Sequence, residues 1–165
     1  LIGKEAQLLN VWYVNSILGT FRLEEENDAI CGLTLCPDGV PELEPLPRKV
    51  CETPLLQEAE EQLNEYFAGA RREFDLPLAP KGTPFQKAVW AEMCRIPYGE
   101  TRTYGQLAAA VGKPKASRAV GGACHCNPIA ILQPCHRVVG STGKLTGYAY
   151  GVEMKQYLLE LEQQE

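Results

Sequence analysis

Thr103-Tyr104-Gly105-Gln106-Leu107-Ala108-Ala109-Ala110-Val111, then Gly112-Lys113-Pro114-Lys115, then Ala116-Ser117-Arg118-Ala119-Val120-Gly121-Gly122-Ala123 is the run whose reading decides the fold of this chain. Thr103 and Gln106 have the spacing of a capping box, in which each side chain satisfies a backbone N–H that the first helical turn leaves open. Tyr104, Leu107, Ala108 and Val111 follow at i, i+3, i+4 and i+7, the period of an apolar helix face. Gly112 to Lys115 breaks that helix. Ala116, Ala119, Val120 and Ala123 repeat the period, and Asn127-Pro128 ends the second helix. Two short helices joined by a tight glycine-containing turn, the second carrying basic residues, have the outline of a helix-turn-helix.

With Ala119, Val120 and Ala123 turned inward, the second helix shows Ser117, Arg118, Gly121 and Gly122 on its other side. One long cation stands above a floor of very small residues. Two glycines inside a short helix cost about 1 kcal/mol each relative to alanine, so something must approach the backbone there. DNA is one candidate and packing against the front lobe is the other.

Downstream, Ile129, Ile131 and Leu132 form a buried run that leads into Gln133-Pro134-Cys135-His136-Arg137-Val138-Val139. A thiolate is the form of cysteine that attacks carbon, and a neighbouring histidine offers a local base. Cys135 is the candidate nucleophile. Adjacency alone does not aim the two side chains at each other, so a buried inert thiol beside a hydrogen-bonded histidine fits the spacing as well. After a loop at Gly140-Ser141-Thr142-Gly143 and the segment Gly147-Tyr148-Ala149-Tyr150-Gly151, a last helix turns Met154, Tyr157, Leu158 and Leu161 inward. Glu162 falls at i+4 from Leu158, beside that buried face. A carboxylate there needs a partner, and His136 is available.

Upstream, Thr83-Pro84-Phe85-Gln86 is another capping box with proline at the first helical position, opening a helix to about Arg95 with Phe85, Ala88, Val89 and Met93 buried and Trp90 in the core. Ile96-Pro97-Tyr98-Gly99 is a turn. Pro77 to Pro80 reads as a linker. Before it, Thr53-Pro54 starts a helix with Leu55, Ala59, Leu63 and Tyr66 on one face, stopped by Gly69. Residues 40 to 50, with Pro41, Pro45 and Pro47, read as a loop. Leu8 to Val14, the run around Phe21 and Leu23, and the run Ile30, Leu33 and Leu35 predict a three-stranded antiparallel meander, closed by Cys36-Pro37-Asp38-Gly39.

Charge divides the chain in the same place. Residues 1 to 80 hold 6 Lys+Arg and 15 Asp+Glu, whereas residues 81 to 144 hold 9 and 2, so a polyanion suits the second part alone. The 7 cysteines, at positions 31, 36, 51, 94, 124, 126 and 135, are odd in number and irregular in spacing, which favours free thiols. No apolar run nears the roughly 20 residues of a membrane helix, and Leu1-Ile2-Gly3-Lys4 lacks a signal-peptide core. A soluble cytoplasmic protein without membrane contact is expected.

Over residues 83 to 162 the chain resembles the O6-alkylguanine-DNA alkyltransferases, or methylated-DNA-protein-cysteine methyltransferases. The resemblance runs through Ile96-Pro97-Tyr98-Gly99-Glu100-Thr101, Thr103-Tyr104, Ser117 to Ala123, Asn127-Pro128 and Pro134-Cys135-His136-Arg137-Val138. The front part agrees more loosely, in its strands and in Asn15-Ser16-Ile17-Leu18-Gly19. Membership implies an α+β fold: a small antiparallel-sheet lobe of ribonuclease-H-like topology at residues 1–79, and a mainly helical winged-helix, helix-turn-helix lobe at 80–165. It implies direct-reversal repair, the alkyl group of O6-alkylguanine passing irreversibly to Cys135, once per molecule, after base flipping. By position, His136 resembles the residue that takes the Cys135 proton through a water, Glu162 the carboxylate that orients it, and Asn127 the brace of the surrounding turns. Tyr104 resembles the residue that crowds the target phosphate and bonds the extruded base, and Arg118 the finger that fills the vacated stack. Thr103, Ser117, Ala119, Gly121 and Gly122 would accompany them at the minor groove, and Val138, Tyr148, Ala149, Tyr150 and Ala130 would line the base pocket. The implied partner is double-stranded DNA containing O6-alkylguanine, bound by a monomer with no cofactor and no metal, wherever the genomic DNA is.

Ala149, Tyr150 and Ala130 stand where many members carry serine, glycine and, in some, proline, and Tyr150 would narrow the pocket for bulky O6 groups. Cys124-His125-Cys126 is a further departure. It reads either as a metal or redox site recruiting Cys135 and His136, or as small partly buried side chains with an exposed histidine; Cys-X-Cys lacks the usual spacing of a structural zinc site. Two rival functions share the scaffold: a non-catalytic lesion sensor, against which Cys135 argues, and a thiol- or metal-responsive DNA-binding regulator.

Overall fold

The computed structural model describes residues 8–45, 47–145 and 147–164. Its front half is a sheet in the order β3-β2-β1-β4, with β1 Leu9–Ser16, β2 Gly19–Glu26, β3 Ala29–Cys36 and β4 Arg48–Val50. The expected meander is present, in antiparallel register with Val14 opposite Phe21 and Leu23 opposite Leu33. Val11, Val14, Phe21, Leu23, Ile30 and Leu33 are buried. The stretch 40 to 50 is not all loop: β4 adds to the edge of β1 in parallel, Leu9 N–H donating to the Pro47 carbonyl at 2.8 Å and Cys51 N–H to that of Val11 at 3.0 Å. Three residues with a largely exposed pattern carry no periodicity, and what recruits them is the unpaired backbone of the β1 edge.

Thr53 caps α1, Pro54–Phe67, its hydroxyl accepting from Leu56 N–H. The buried face is Leu56, Ala59, Gln62, Leu63 and Tyr66, with Leu55 only half-buried, one position off the expected stripe. In α2, Pro84–Met93, the capping box of Thr83 and Gln86 is closed in both directions, and Val89, Trp90 and Met93 are buried. Ala88, expected inside, is exposed, because the much larger Trp90 takes the core side of that turn. Its indole N–H donates to the Ala123 carbonyl at 2.8 Å, and a Cβ on Gly82 would lie 2.5 Å from its ring.

The second capping box opens α3, Tyr104–Ala110, and α4 runs Ser117–His125. The inward side of α4 is Val120, Ala123 and Cys124, while Ala119, expected inside, is exposed. A short parallel pair joins β5, Arg102–Thr103, to β6, Val138–Val139. Helix α5, Val152–Leu161, buries Met154, Lys155, Leu158 and Leu161, with Tyr157 half-buried.

The free edge of β3 joins the halves. Ile30 N–H donates to the Pro77 carbonyl and Ala79 N–H to that of Ile30, each at 2.8 Å, so the expected linker lies along the sheet. Further along the same edge, Leu33 N–H donates to the Pro128 carbonyl and Ala130 N–H to that of Leu33, both at 3.0 Å. The segment entering Cys135 is thereby hydrogen-bonded to the front sheet, and one apolar core runs from Val14 to Leu161.

Replacing Trp90 by phenylalanine removes the donor to Ala123 and leaves a buried carbonyl unpaired. The expected loss is about 1–3 kcal/mol, read as a lower urea midpoint at unchanged slope.

Candidate active site

Asn127 follows the end of α4, and its side chain uses all of its bonding capacity. Nδ2 donates to the Gln133 carbonyl at 2.8 Å and to Cys135 Sγ at 3.2 Å. Oδ1 accepts from Ile129 N–H at 3.1 Å and from Gln133 Nε2 at 2.7 Å. Two donors and two lone pairs are then satisfied within one turn. The turn itself is strained: Ile131 has φ of 67°, a left-handed conformation that costs a β-branched residue about 1–3 kcal/mol. Asn127 and the β3 edge hold it there, and the chain arrives at Pro134 with Cys135–Arg137 wound into one 3-10 turn.

That turn sends three consecutive side chains to different places. Cys135 Sγ faces Asn127. His136, wholly buried, puts Nε2 at 2.6 Å from Glu162 Oε2, and its Nδ1 has no protein hydrogen-bond partner. Arg137 donates from Nε to Glu162 Oε1 at 2.8 Å, from NH2 to Oε2 at 3.1 Å and from NH1 to the Ile96 carbonyl at 2.8 Å. Glu162, the C-cap of α5, also accepts from the Tyr66 hydroxyl of α1 at 2.6 Å and from Gly99 N–H at 3.2 Å. Five donors thus converge on one buried carboxylate.

The electrostatics follow from burial and these partners. Burial pushes the Glu162 carboxyl up, but the hydrogen bonds of His136 and Arg137, with the Arg137 charge, more than reverse it and hold it at about 2. Burial lowers His136 below its ordinary value against the pull of Glu162, so the ring is neutral at pH 7. In that state Nε2 carries the proton donated to Glu162, and Nδ1 keeps its lone pair. Burial raises the Cys135 thiol, with Asn127 and Lys155 pulling the other way. The site therefore rests as a thiol, with a neutral base one residue away.

Lys155 is the least anticipated member. It is fully buried on the inner face of α5, its Nζ donating to the Val138 carbonyl at 2.5 Å and lying 5.8 Å from the centre of the Tyr104 ring. Burial lowers its pKa, and the nearby Cys135 and Cys124 oppose that. Tyr104 opens α3 beside Gly121, where an added Cβ would come within 4.0 Å of its ring. Across α4, Arg118 and Gly122 are exposed and Ser117 and Gly121 half-buried, while the Thr103 hydroxyl is occupied in capping α3. Among the pocket candidates, Val138, Ala130 and Tyr148 are buried, Tyr150 is half-buried and Ala149 is exposed.

Cys135, His136, Glu162 and Asn127 are thus brought together. Sequence reasoning missed Arg137, Tyr66 and Lys155 as partners of these groups. Arg137 stood inside the quoted motif, and Lys155 was visible as a charge on an apolar helix face, but nothing in the sequence tied Tyr66 to a carboxylate 96 residues away. Cys124, His125 and Cys126 do not converge. Cys124 is buried with Sγ 3.6 Å from Met93 Sδ, and the other two are exposed; burial pushes the Cys124 thiol up to about 12.

Two family models match the sequence: 6-O-methylguanine DNA methyltransferase, ribonuclease-like domain, over residues 11–80, and 6-O-methylguanine DNA methyltransferase, DNA binding domain, over 84–164. The methylated-DNA–protein-cysteine methyltransferase of Methanosarcina barkeri is 61% identical over 107 residues, 65% of this chain and 68% of that protein. The constitutive enzyme of that name from Bacillus subtilis is 58% identical over 112 residues, 67% of this chain and 68% of its own. Among solved structures, the O6-methylguanine methyltransferase of Mycobacterium tuberculosis superposes with a TM-score of 0.82 at 41% identity, covering 94% of this chain and 93% of that one. Its counterpart in complex with DNA gives 0.84 at 42%, covering 93% and 92%.

Since Glu162 titrates near pH 2 in the fold against an ordinary value of 4.5, its contribution to stability is complete above about pH 4.5 and drains away as pH falls toward 2. Glu162→Gln is expected to destabilise the protein by about 3–5 kcal/mol at pH 7, since it leaves Arg137 buried and unpaired. It should also flatten the acid limb of stability against pH, measured by urea unfolding across that window.

Proposed function

This chain belongs to the 6-O-methylguanine DNA methyltransferase family, and from that membership and the site geometry we propose that it repairs DNA by taking the alkyl group of O6-alkylguanine onto Cys135. The observation that carries the assignment is the pairing of a held sulfur with an oriented base: Asn127 fixes Cys135 Sγ at 3.2 Å, and Glu162 fixes His136 Nε2 at 2.6 Å with Nδ1 open.

Nothing bonds Sγ directly to the imidazole, so the proton leaves Cys135 across a water to His136 Nδ1. The imidazolium that forms is stabilised by Glu162, already ionised and already bonded to the opposite nitrogen. The thiolate then attacks the alkyl carbon in line; the S–C bond forms, the C–O6 bond breaks, and the electron pair goes to the guanine oxygen. Protonation of the departing base makes it a better leaving group, and the role of hydrogen-bonding that base falls to Tyr104. A thioether has no good leaving group, so each molecule acts once.

The duplex buries the target atom, and the damaged nucleotide must be turned out of the stack. Helix α4 supplies the surface, with Arg118 projecting to fill the gap and Gly121 and Gly122 allowing the minor groove to come close to the backbone. Thr103, Ser117 and Ala119 complete that face. The division of labour falls near residue 80, the front lobe bracing the site and residues 80–165 holding DNA and chemistry. The protein acts as a monomer on genomic DNA in the cytoplasm; among the described residues no helix is long and apolar enough to cross a membrane.

Incubation with duplex DNA carrying one O6-methylguanine, followed by intact-mass measurement and peptide mapping, is expected to give one added methyl on the Cys135 peptide and never more than one per protein. Cys135→Ala should bind the lesion without gaining mass. Bound DNA with no mass change in the unaltered protein would turn the assignment to a lesion sensor.

A further inference from the structure

Gln133 stands two residues before the reactive thiol and is 2% exposed. A buried primary amide needs partners for its polar atoms, and this one finds its partner on Asn127, Nε2 donating to Oδ1 at 2.7 Å. Its backbone is engaged as well. Gln133 N–H donates to the Ile129 carbonyl at 3.0 Å, and its own carbonyl accepts from Cys135 N–H and from Asn127 Nδ2, each at 2.8 Å. Gln133 and Asn127 are therefore joined by two hydrogen bonds of opposite sense.

The consequence lies at sulfur. A carboxamide turned by 180° exchanges a donor for an acceptor, so the end that faces Cys135 decides whether a thiolate there is stabilised or repelled. Ile129 N–H and Gln133 Nε2 both donate to Asn127 Oδ1, and the Gln133 carbonyl takes one hydrogen of Nδ2. With these three bonds in place, the remaining Nδ2 hydrogen is the one directed at Sγ, 3.2 Å away. Two of the three come from Gln133. Donation into Oδ1 also polarises the amide and strengthens the bond that Nδ2 gives, since linked hydrogen bonds reinforce one another by about 10–30%. Burial raises the Cys135 thiol, and the Asn127 bond is the largest influence opposing it.

Resting on the alkyl-transfer reading, we infer that Gln133 is a positioning residue for Cys135: acting through Asn127, its side-chain amide keeps a donor aimed at the sulfur that becomes the thiolate. An apolar side chain filling the same space does not supply this. The titratable groups around the sulfur are Lys155 of α5, Cys124 of α4, the adjacent His136, and Tyr148 and Tyr150 of the following segment. A change at Gln133 leaves all of them in place.

Cys135 reactivity is measured against pH with iodoacetamide, which reacts with the thiolate and needs no DNA, by mass mapping of the Cys135 peptide. Gln133→Met keeps length and bulk without the donor. Its midpoint is expected to lie above that of the unaltered protein by about half a pH unit or more, roughly a threefold smaller thiolate fraction at pH 7. In Asn127→Ala the same change should add nothing, because the route through Asn127 is gone. A second readout needs no variant: in the unaltered protein the side-chain amide signals of Gln133 and Asn127 should move together at the Cys135 midpoint in nitrogen-15 spectra. Coinciding pH profiles for Gln133→Met and the unaltered protein overturn the inference, as does a shift that persists in full in Asn127→Ala, or a Gln133 amide signal that ignores the Cys135 titration. Methyl transfer from an O6-methylguanine duplex is followed in parallel. Its absence in the unaltered protein, with the Gln133→Met shift present, overturns the alkyl-transfer reading alone.

Discussion

The buried carboxylate of Glu162 is the constraint on which the rest of the site depends. An ionised group without water is tolerated only where donors replace its hydration, and here five do, supplied by α1, the turn at Gly99 and the 3-10 turn after Cys135. Each donor is also a positional restraint. Tyr66 brings the front-lobe helix to the end of α5, Arg137 fixes the turn that carries Cys135, and His136 is held in one orientation and one tautomer. Removing any partner strands charge in the core, so the arrangement is specified as a unit.

A second constraint comes from the opposite side. The edge of β3 would expose unpaired backbone groups, and it is covered by residues 77–79 and 128–130. The same hydrogen bonds that complete the sheet fix the start of the strained turn at Ile131, and Asn127 fixes its end. The front lobe, acidic overall, thereby shapes the back lobe's site through backbone geometry and through Tyr66.

What was legible in the sequence was what local periodicity and capping encode. Both capping boxes, the three-stranded meander and the helix pair stand where spacing put them, because each is decided within a few residues. The one-position error, Leu55 for Leu56, arose where two adjacent leucines competed for a face and distant packing chose, while Ala119, expected inside, is exposed and the inner face of α4 extends instead to Cys124. Strand β4 and the β5–β6 pair are too short to show a period; β4 exists because the β1 edge takes a partner, and β5 and β6 pair only with each other. In the site, Cys135 and His136 were readable from their adjacency along the chain and Glu162 from its place beside a buried face, whereas Asn127 was named only through the family resemblance. Tyr66 and Lys155 were not, since an aromatic and a lysine on helix faces gain their roles from tertiary neighbours alone.

His136 waits as a neutral base with its proton on Nε2 and its Nδ1 lone pair open. The chain has only 2 histidines, and the other, His125, is exposed. Nitrogen-15 correlation spectra of the ring nitrogens across the neutral range test the claim directly. The neutral Nε2–H tautomer of His136 is expected at pH 7 and is expected to persist below the ordinary histidine value of 6.5. An Nδ1–H tautomer, or an imidazolium at neutral pH in the resting protein, would contradict it.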